Sequence, residues 1–435
     1  MTTHATAGRA AATPAARPFP FPPAPRLELE PEYARLQREE PVSRVRFPYG
    51  EEAWLVTTHA DTRTVLSDAR FSRAVSLERD VPRTTVENFS GGIVAMDPPE
   101  HTRLRSVCRH AFTPRTVARL RSRATAIAER LVAAVLDGGS GVDGSGVFDA
   151  VEDLAVPYTL TMVCEMLGVP YDDRHEFRRW AEAGLATTSI SEDERWAATG
   201  RMWDYIAALI AARRAGPRDD LISAMTAAQA ETPTVSDDEL VIVVMTILVA
   251  GFETTSTQLP NFLHVLLDDP RHWARLVAAP SLVPTAVEEL MRVVPLEANG
   301  ASPRYAVEDV VLSGTRIPAG DPVVAATVIA NRDPAVFADP HVLDLGRDPN
   351  PHLGFGVGAH FCLGAPLARM ELQVALEVLT AALPHLRVHA GGSGERSGEQ
   401  WKTGMLVRGP SRLELAAGVP ADRPTGRSVR REHGA

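Results

Sequence analysis

Apolar residues recur every three or four positions over long stretches of this chain, which is the spacing of helices that bury one face. One stretch begins at Thr113–Pro114, a pair that supplies an N-cap followed by proline in the first helical turn. Its apolar positions are Val117, Leu120, Ala124, Ile127, Leu131 and Val135. The stretch stops at Asp137, which is followed by two glycines. The pattern therefore predicts a helix from Pro114 to about Asp137.

The clearest predicted helix begins at Ser236. Glu239 completes a capping box there, and Val235 with Leu240 is placed as a hydrophobic staple. The helical pattern runs on, with one break, to about Leu267, which is about 50 Å at the rise of an α-helix. A helix of this length is expected to cross the whole domain.

This helix is apolar on most sides before Gly251, so we expect it to lie buried at the centre of the fold. Pro260 falls within the pattern and predicts a kink or the end of the first part, because proline cannot donate a backbone hydrogen bond. The longest apolar run, Val241–Ala250, is shorter than the roughly 20 residues needed to cross a bilayer. It therefore predicts no membrane anchor.

Strand patterns are fewer, and most of them lie between residues 310 and 328. They are Trp54–Thr57, Val310–Leu312, Arg316–Pro318 and Val323–Val328. We therefore expect a mainly α fold with a minor β region. Residues 1–25 are rich in Ala and Pro and predict a disordered leader, residues 26–418 predict one large domain, and the polar residues 419–435 predict a disordered tail.

Charge and cysteine content narrow the functional class. The 435 residues carry 45 basic and 55 acidic side chains, a net charge of −10, which disfavours nucleic-acid binding. The cysteines are Cys108, Cys164 and Cys362, an odd set without CxxC spacing that predicts neither a disulfide framework nor a structural zinc site. The N-terminus has no apolar core of signal-peptide type. We expect a cytoplasmic protein.

The segment around Cys362 carries the most chemical information. It reads HLGFGVGAHFCLG from His352 to Gly364, and a helix is predicted directly after it, from about Pro366 through Leu383. A cysteine before a helix lies near free N–H groups and the positive end of the dipole, which favour thiolate over thiol. The glycines allow the backbone to fold closely around the sulfur and against a flat ligand.

Three other interpretations of this segment compete. A dinucleotide-binding loop would match Gly354, Gly356 and Ala359, but its fingerprint needs a preceding strand, and the approach is proline-rich. A zinc site would have only His360 and Cys362 nearby. A packed structural cysteine is the usual role of a lone Cys, but it leaves the glycine density unexplained.

The same segment resembles the haem-binding signature of the cytochrome P-450 superfamily over its full length. The matching positions are Phe355–Gly356-x-Gly358-x-His360-x-Cys362–Leu363–Gly364-x-x-Leu367–Ala368–Arg369. The resemblance implies a single large domain of that fold, with haem b between the long central helix and the cysteine loop. It implies that Cys362 is the axial ligand of the iron, that Phe355 shields its sulfur and that His360 faces a propionate. Gly356 and Gly364 would let the backbone approach the haem.

A second segment, Ala250–Thr255, lies inside the predicted central helix. Buried acids and clustered hydroxyls need partners, and threonine can bond back to the carbonyl four residues earlier and open the helix. A helix bend without chemistry would explain the same residues. The family resemblance implies instead an oxygen-binding groove at Ala250 and Gly251. Thr254 would hold dioxygen or a water, and Glu253 would help to relay protons.

Glu289 and Arg292 share one helix face three residues apart. An ordinary surface ion pair, worth under about 1 kcal/mol, would have the same spacing. The resemblance implies the family's ExxR motif, with Arg347 as the third member. We expect this trio to be structural and to fix the loop that carries Cys362.

His101 and Arg105 lie four residues apart in a segment that begins a helix. Either side chain alone could be solvated charge near a helix start. By resemblance both bind a haem propionate, as does Arg304. Three donor groups would then meet two carboxylates in a charge-assisted arrangement.

Segments 43–57 and 294–296 are similar to macrolide-tailoring members of the family from actinobacteria. The resemblance implies a monooxygenase that hydroxylates or epoxidises a macrolide or another polyketide. It would use dioxygen and take electrons from a ferredoxin and its NAD(P)H-dependent reductase. The residues expected to line the substrate pocket are Val249, Phe252, Leu296, Glu297 and Met405. Oxidative coupling, peroxygenase chemistry and a non-catalytic haem sensor remain alternatives, and Glu297 either pairs with an amino sugar or points to solvent.

Overall fold

The computed structural model describes residues 15–85, 92–108, 112–137, 146–231, 234–297, 303–389 and 399–418. Helices predominate, as the sequence predicts. They are α1 (Pro31–Glu39), α2 (His59–Ser67), α3 (Glu100–Ser106), α4 (Pro114–Leu136), α5 (Val156–Leu167), α6 (Arg174–Leu185), α7 (Glu192–Ala215), α8 (Leu221–Glu231), α9 (Asp237–Asp268), α10 (Pro270–Ala278), α11 (Val283–Val293), α12 (Thr327–Ala330) and α13 (Ala365–Ala382).

The local start signals act as expected. The Thr113 side chain caps α4 by accepting from the Thr116 N–H. At the start of α9, the Ser236 side chain accepts from the Glu239 N–H, and the Glu239 carboxylate accepts from the Ser236 N–H, so both halves of the capping box form. Of the two outcomes expected at Pro260, a kink or the end of the first part, the second is wrong, because α9 continues through Pro260 to Asp268. Pro260 is buried among packed neighbours, and tertiary packing outweighs the lost backbone hydrogen bond.

Short strands form the β region. They are β1 (Arg17–Pro18), β2 (Val42–Arg46), β3 (Glu52–Val56), β4 (Phe71–Ser72), β5 (Val147–Asp149), β6 (Arg304–Ala306), β7 (Val310–Leu312), β8 (Thr315–Ile317), β9 (Pro322–Ala325), β10 (Arg387–Val388), β11 (Gln400–Trp401), β12 (Pro410–Arg412) and β13 (Glu414–Ala416). The expected strand Val323–Val328 stops early because α12 begins at Thr327.

The largest sheet has six strands in the order β1-β2-β3-β9-β6-β4. Strand β9 pairs in parallel with β3 and antiparallel with β6, so Val323 lies opposite both Trp54 and Arg304. Strand β4 closes the edge with Phe71 opposite Ala306. This arrangement brings the β6 arginine next to the start of the segment that follows β4.

The predicted boundary of the disordered leader at residue 25 is wrong for the described part of that segment. Strand β1 pairs in parallel with β2, with Arg17 opposite Val45. Phe19 and Phe21 are 2% and 6% exposed, and both rings pack against Tyr33 at centroid distances of 5.0–6.3 Å. The aromatic spacing within the Pro-rich segment was the signal for burial. Residues 1–14 and the predicted tail 419–435 lie outside the described residues.

Helix α9 is the core helix of the domain. By length and composition alone it is apolar enough to cross a membrane. Its side chains instead pack within the protein, and Leu240, Val244, Leu259 and Leu263 are fully buried. They belong to one large apolar cluster shared with α4, α5, α11 and α13. The buried position expected for this helix is therefore confirmed for the described residues.

Candidate functional site

The cysteine loop lies between α11 and α13 and is folded tightly. The Cys362 N–H donates to the Phe355 carbonyl at 2.9 Å. Gly356 and Gly358 both adopt positive φ, at +67° and +81°. A Cβ at Gly358 would lie 2.7 Å from the Ser67 Cα on α2, so the loop can meet that helix only through a glycine. The glycine-rich sequence is thus explained by close backbone approach.

The Cys362 sulfur opens into an interior space. This residue is exposed to solvent although it is surrounded by protein, whereas the other two cysteines are buried. Burial raises the pKa of the Cys362 thiol, while the Gly364 N–H, the Arg105 charge and the Ala365 N–H lower it. The position of Cys362 before a helix accounts only for the effects that lower this pKa. In the protein alone desolvation outweighs them, so the net direction is upward.

Arg369, the last residue of the signature, fixes the ring of Phe355. Its guanidinium lies 4.4 Å from the ring centroid. The same guanidinium donates to the Glu288 carboxylate at 2.7 and 2.8 Å. His352 bonds to Glu288 at 3.0 Å, so Glu288 ties α11 to both ends of the cysteine loop.

Glu289 is the centre of a buried network, as the ExxR interpretation expects. Arg292 donates to it twice at 2.8 Å, and Arg347 donates at 3.0 Å. The Asn350 side chain and the Asp344 N–H add bonds of 3.1 and 2.9 Å. The side chains of Glu289 and Arg292 have no exposed surface, which excludes a surface ion pair. Burial alone would raise the pKa of Glu289, but the bonds to Arg292 and to the Asp344 N–H bring it below its usual value.

Three of the expected propionate-binding residues converge beside the loop. The His101 and His360 rings lie 4.3 Å apart, and both pKa values are lowered by burial and neighbouring cations, that of His360 to about 3. Arg304 donates to the Val65 and Leu66 carbonyls at 3.1 and 2.7 Å. Burial lowers the pKa of Arg304 to about 10. His360 Nε2 and Arg304 Nε are buried without a hydrogen-bond partner among the described residues.

Arg105 differs from its expected place. Its guanidinium donates to the carbonyls of Ala359 and Phe361 at 3.3 and 2.6 Å. It therefore braces the cysteine loop from α3. The i,i+4 spacing predicts that Arg105 and His101 share one helix face. It does not predict that the Arg105 guanidinium bonds to the carbonyls of the cysteine loop.

Arg73 is a basic side chain of this cluster that the sequence analysis did not single out. Arg73 follows β4, and its backbone N–H donates to the Asp97 carboxylate at 2.8 Å. Burial lowers the pKa of Arg73, while the charges of Glu297 and Asp97 raise it. No local pattern marks this residue, because its neighbours come from distant parts of the chain.

The middle of α9 carries small groups that retain accessible surface. Ala250 is exposed and Gly251 and Thr254 are partly exposed, although the helix is central. The Thr254 hydroxyl donates to the Ala250 carbonyl at 2.5 Å, the back-bond that the sequence predicts. A Cβ at Gly251 would meet Val163 at 3.5 Å, so this glycine also allows α5 to pack closely.

Glu253 is 2% exposed and does not lack a partner. The Lys402 ammonium donates to its carboxylate and, at 2.8 Å, to the Thr257 hydroxyl. Burial raises the pKa of Glu253, and the Lys402 charge opposes that rise. The sequence analysis missed Lys402, although a buried acid followed by a hydroxyl on one helix face signalled the need for a polar partner.

The C-terminal hairpin, residues 399–412, brings together the end of α6 and three of the predicted pocket residues, Leu296, Glu297 and Met405. It pairs Met405 with Ala186 after α6 and Val407 with Glu297 after α11. The Arg408 N–H donates to the Leu296 carbonyl at 2.7 Å. Leu296 and Met405 are partly exposed there, so the hairpin joins the two walls.

One carbonyl fastens the hairpin loop to the end of α6. Gly404 accepts from the N–H groups of Thr187, Thr188 and Ser189 at 2.8–3.3 Å. Gly404 has a φ of +65°, and a Cβ there would lie 2.6 Å from the Thr188 hydroxyl. The loop therefore depends on glycine at this position.

The two predicted pocket residues of α9 lie on different sides of that helix. Val249 is partly exposed and lies against Gly184 of α6, whereas Phe252 is fully buried. The expectation that Phe252 lines the pocket is wrong, because it lies on the side of the helix that packs into the main apolar cluster.

Glu297 is exposed by surface area but enclosed by protein, so its carboxylate borders the interior space. Burial raises its pKa, and the Arg73 charge opposes that rise. The carboxylate makes no hydrogen bond or ion pair within the part of the chain that the structure describes. Residues 298–301 of the predicted wall lie outside the described residues.

Comparison with known proteins identifies the class. The chain belongs to the cytochrome P-450 family, whose sequence profile matches residues 31–279 and 280–416. It is 47% identical to mycinamicin IV hydroxylase/epoxidase of Micromonospora griseorubida over 92% of this chain and 98% of that protein. It is 44% identical to nocardicin C N-oxygenase of Nocardia uniformis over 92% and 98%.

A solved structure of the P-450 MycG with mycinamicin IV superposes with a TM-score of 0.85 and 46% identity, over 92% of this chain and all of that one. The resemblance stated from the cysteine loop and from segments 43–57 and 294–296 is confirmed. The chain is a cytochrome P-450 monooxygenase that acts on a small molecule.

The family implies a haem cofactor, and the residues present fit one. A flat macrocycle with two carboxylates needs a thiol on one side, small groups on the other and donors at its edge. Cys362 would supply the thiol, and Ala250 and Gly251 would leave room on the other side. The unpartnered Nε2 of His360 and Nε of Arg304 supply buried donors that a carboxylate would satisfy.

Proposed function

We propose that this enzyme is a tailoring monooxygenase of a macrolide or another polyketide, in which Cys362 binds the iron of haem b. It hydroxylates or epoxidises its substrate with dioxygen. Its electrons come from a ferredoxin and an NAD(P)H-dependent ferredoxin reductase in the cytoplasm. The domain extends to residue 418.

The cluster of His101, His360, Arg304 and Arg73 beside Cys362 is the observation that carries this assignment. Two of these side chains, Arg304 and Arg73, are enclosed arginines, and buried cations are costly without partner anions. His360 and Arg304 hold buried nitrogen atoms without partners among the described residues. Haem propionates would satisfy these groups, and the same placement would set the macrocycle over the cysteine. Arg105 would act indirectly, by holding the loop carbonyls of Ala359 and Phe361.

The haem, once bound to the thiolate, supplies activation of dioxygen. This chain's own residues supply protons and orientation on the α9 side. The Thr254 hydroxyl donates its one hydrogen to the Ala250 carbonyl, and its oxygen can accept a further hydrogen bond. Glu253 lies one residue earlier, and its carboxylate can carry a proton from the side of Lys402.

Replacing Cys362 tests the assignment of the ligand. We expect Cys362→Ser to lose the thiolate-type optical spectrum of the ferrous carbon monoxide complex, while the protein still folds. Cys108→Ala is the matched control, because that thiol is buried and packed in the core. A thiolate-type spectrum retained by Cys362→Ser would overturn the proposal.

The Glu297 carboxylate favours a substrate with a basic group. It is enclosed, it borders the interior space, and the opposing charge that acts on it is that of Arg73. If Arg73 pairs with a propionate, Glu297 is left to bind a cation from the substrate. The amino sugar of a macrolide is such a group. Burial makes this interaction stronger than a surface pair would be.

Optical titration checks the substrate class. A macrolide with an amino sugar should convert the haem from low to high spin more tightly than its aglycone does. Glu297→Gln should weaken the binding of the amine about 10-fold or more, the size of a lost hydrogen bond to a charged group. The aglycone should bind equally well to both proteins. Glu308→Gln is the control, because Glu308 is a 62% exposed acid that pairs with Arg70. Unchanged affinity of Glu297→Gln for the amine would end this assignment.

A further inference from the structure

A stripe of buried polar side chains runs along the second half of α9. Glu253, Thr257 and Asn261 are spaced four residues apart, so they share one face. Their exposed fractions are 2%, 1% and 0%. The stripe lies against the C-terminal hairpin, where the Asn261 side chain donates to the Arg408 carbonyl at 2.9 Å. The hairpin therefore supplies hydrogen-bond partners to this stripe, although Asn261 Oδ1 is buried without a partner among the described residues.

Lys402 is the hairpin residue that reaches furthest into this stripe. Its ammonium bonds to the Glu253 carboxylate and to the Thr257 hydroxyl at 2.8 Å. The Lys402 side chain is 16% exposed, so it connects a nearly inaccessible acid with the edge of the protein. An ammonium placed in this way stabilises the ionised form of the acid.

Further charged groups lie on the outer side of Lys402. Arg178 of α6 donates to Glu182 at 2.7 Å and to Glu152 at 2.6 and 2.7 Å. The charges of Glu182 and Arg178 also act on Glu253, and the Lys402 charge acts on Glu152. These three side chains are 29–47% exposed. Glu253 therefore lies within reach of the charges of Arg178 and Glu182 as well as that of Lys402.

The same hairpin reaches the substrate side of the protein. Met405, three residues after Lys402, pairs with Ala186 in the pocket wall. A ligand that displaces this part of the hairpin would act on the Lys402 backbone through only two intervening residues. The contact between Lys402 and Glu253 therefore lies between the pocket wall at Met405 and the part of α9 that carries Thr254.

We propose that Lys402 is a positioning residue that keeps the Glu253 carboxylate ionised and oriented for proton delivery. This inference rests on the proposed use of dioxygen, in which Glu253 takes up and passes on protons. Lys402 itself contacts neither substrate nor haem. It acts by holding the acid in one orientation, and by making its charge depend on the position of the hairpin.

Infrared spectroscopy of the haem-loaded protein tests the ionisation directly. The C=O stretching band of a protonated Glu253 is identified by its loss in Glu253→Gln. In the unmodified protein this band should appear only at acidic pH. In Lys402→Met its midpoint should move upward by about 1–3 pH units, the usual effect of losing an opposite charge within about 4–6 Å. Lys402→Arg should restore the original midpoint.

Turnover with substrate gives the second readout. Lys402→Met should lower the product formed per dioxygen consumed several-fold and change its pH profile, while the optical binding constant for the substrate stays within about two-fold. Arg412→Gln is the matched control, because Arg412 is an exposed residue of the same hairpin that pairs with Glu414. Its infrared midpoint and its coupling should equal those of the unmodified protein.

The outcomes separate the two proposals. An unmoved infrared midpoint in Lys402→Met overturns the inference, whatever the turnover shows. A shifted midpoint restored by Lys402→Arg supports it, even if no polyketide is oxidised, in which case the proposed function fails by itself. Normal coupling in Lys402→Met together with a shifted midpoint overturns the role in proton delivery.

Discussion

Glu289→Gln is the change whose effect the structure defines most sharply. The substitution keeps the shape of the side chain but removes its charge. Arg292 would then remain fully buried without its ion-pair partner, and its N–H groups would face the new amide donors. Arg347 and Asn350, which approach from the segment before the cysteine loop, would lose the same acceptor.

The expected loss is large because breaking a buried pair from one side costs about 3–5 kcal/mol. Roughly 400 ordered residues at about 2.1 cal/mol/K each correspond to an unfolding entropy of about 0.8 kcal/mol/K. The melting temperature should therefore fall by about 4–6 °C. Glu39 offers the control, because its side chain is 57% exposed and its pair with Arg35 is a surface pair. Glu39→Gln should cost about 1 kcal/mol or less, and about 1 °C.

Thermal unfolding of the three haem-loaded proteins, followed by circular dichroism at one protein concentration, measures both shifts. The haem absorbance in the same samples reports whether Glu289→Gln also releases the cofactor at a lower temperature than the backbone melts. Equal shifts for the two variants, or a shift below about 1 °C for Glu289→Gln, would refute the reasoning about buried charge.

Three further outcomes follow from other parts of the structure. Burial would raise the pKa of Glu288, but its bonds to His352 and Arg369 lower it from 4.5 to about 2. The stabilisation by the Glu288 carboxylate is therefore complete above pH 4.5 and is lost as the pH falls towards 2. Glu288→Gln should flatten that part of an acid unfolding curve. Gly358→Ala should lower the melting temperature and haem retention together, because φ is positive and the new Cβ would clash with the Ser67 backbone. Gly200→Ala is the control. Gly200 lies in a helix with open space around it, so this change should be neutral or stabilise by about 0.5–1 kcal/mol. Phe19→Ala should cost about 3–5 kcal/mol in denaturant unfolding.

Much of this protein could be predicted because its signals are local. The capping box at Ser236 and the N-cap at Thr113 define helix starts through contacts three residues apart. The glycines before Cys362 are local as well, since positive φ excludes most other residues. The family signature added the partners of Glu289, which come from a distant segment, and the structure places them together.

The missed or mistaken residues depend on contacts that no local pattern encodes. Lys402 follows Glu253 by 149 positions, and nothing near it in the sequence distinguishes it from a surface lysine. Arg73 gains its role from a sheet edge that joins β4 to β6. Phe252 adjoins Gly251 in sequence, but neighbouring side chains on a helix point in different directions. Phe252 therefore packs into the core and does not line the pocket.

The leader illustrates a different limit. Composition alone describes residues 15–25 as Pro-rich and unstructured, but a short strand and two aromatic side chains are enough to attach them to the sheet. Composition averages over a window, and burial of Phe19 and Phe21 depends on single positions.

The fastening of the hairpin loop at Gly404 bears on any attempt to redirect this enzyme by laboratory evolution. Met405 and Leu406 follow it directly and are natural positions to randomise, since both retain accessible surface near the pocket wall. Position 404 should not be randomised, because three backbone N–H groups bond to the Gly404 carbonyl and no side chain fits there. A library that spares this one codon should retain a far larger fraction of folded clones than one that varies 404–406 together.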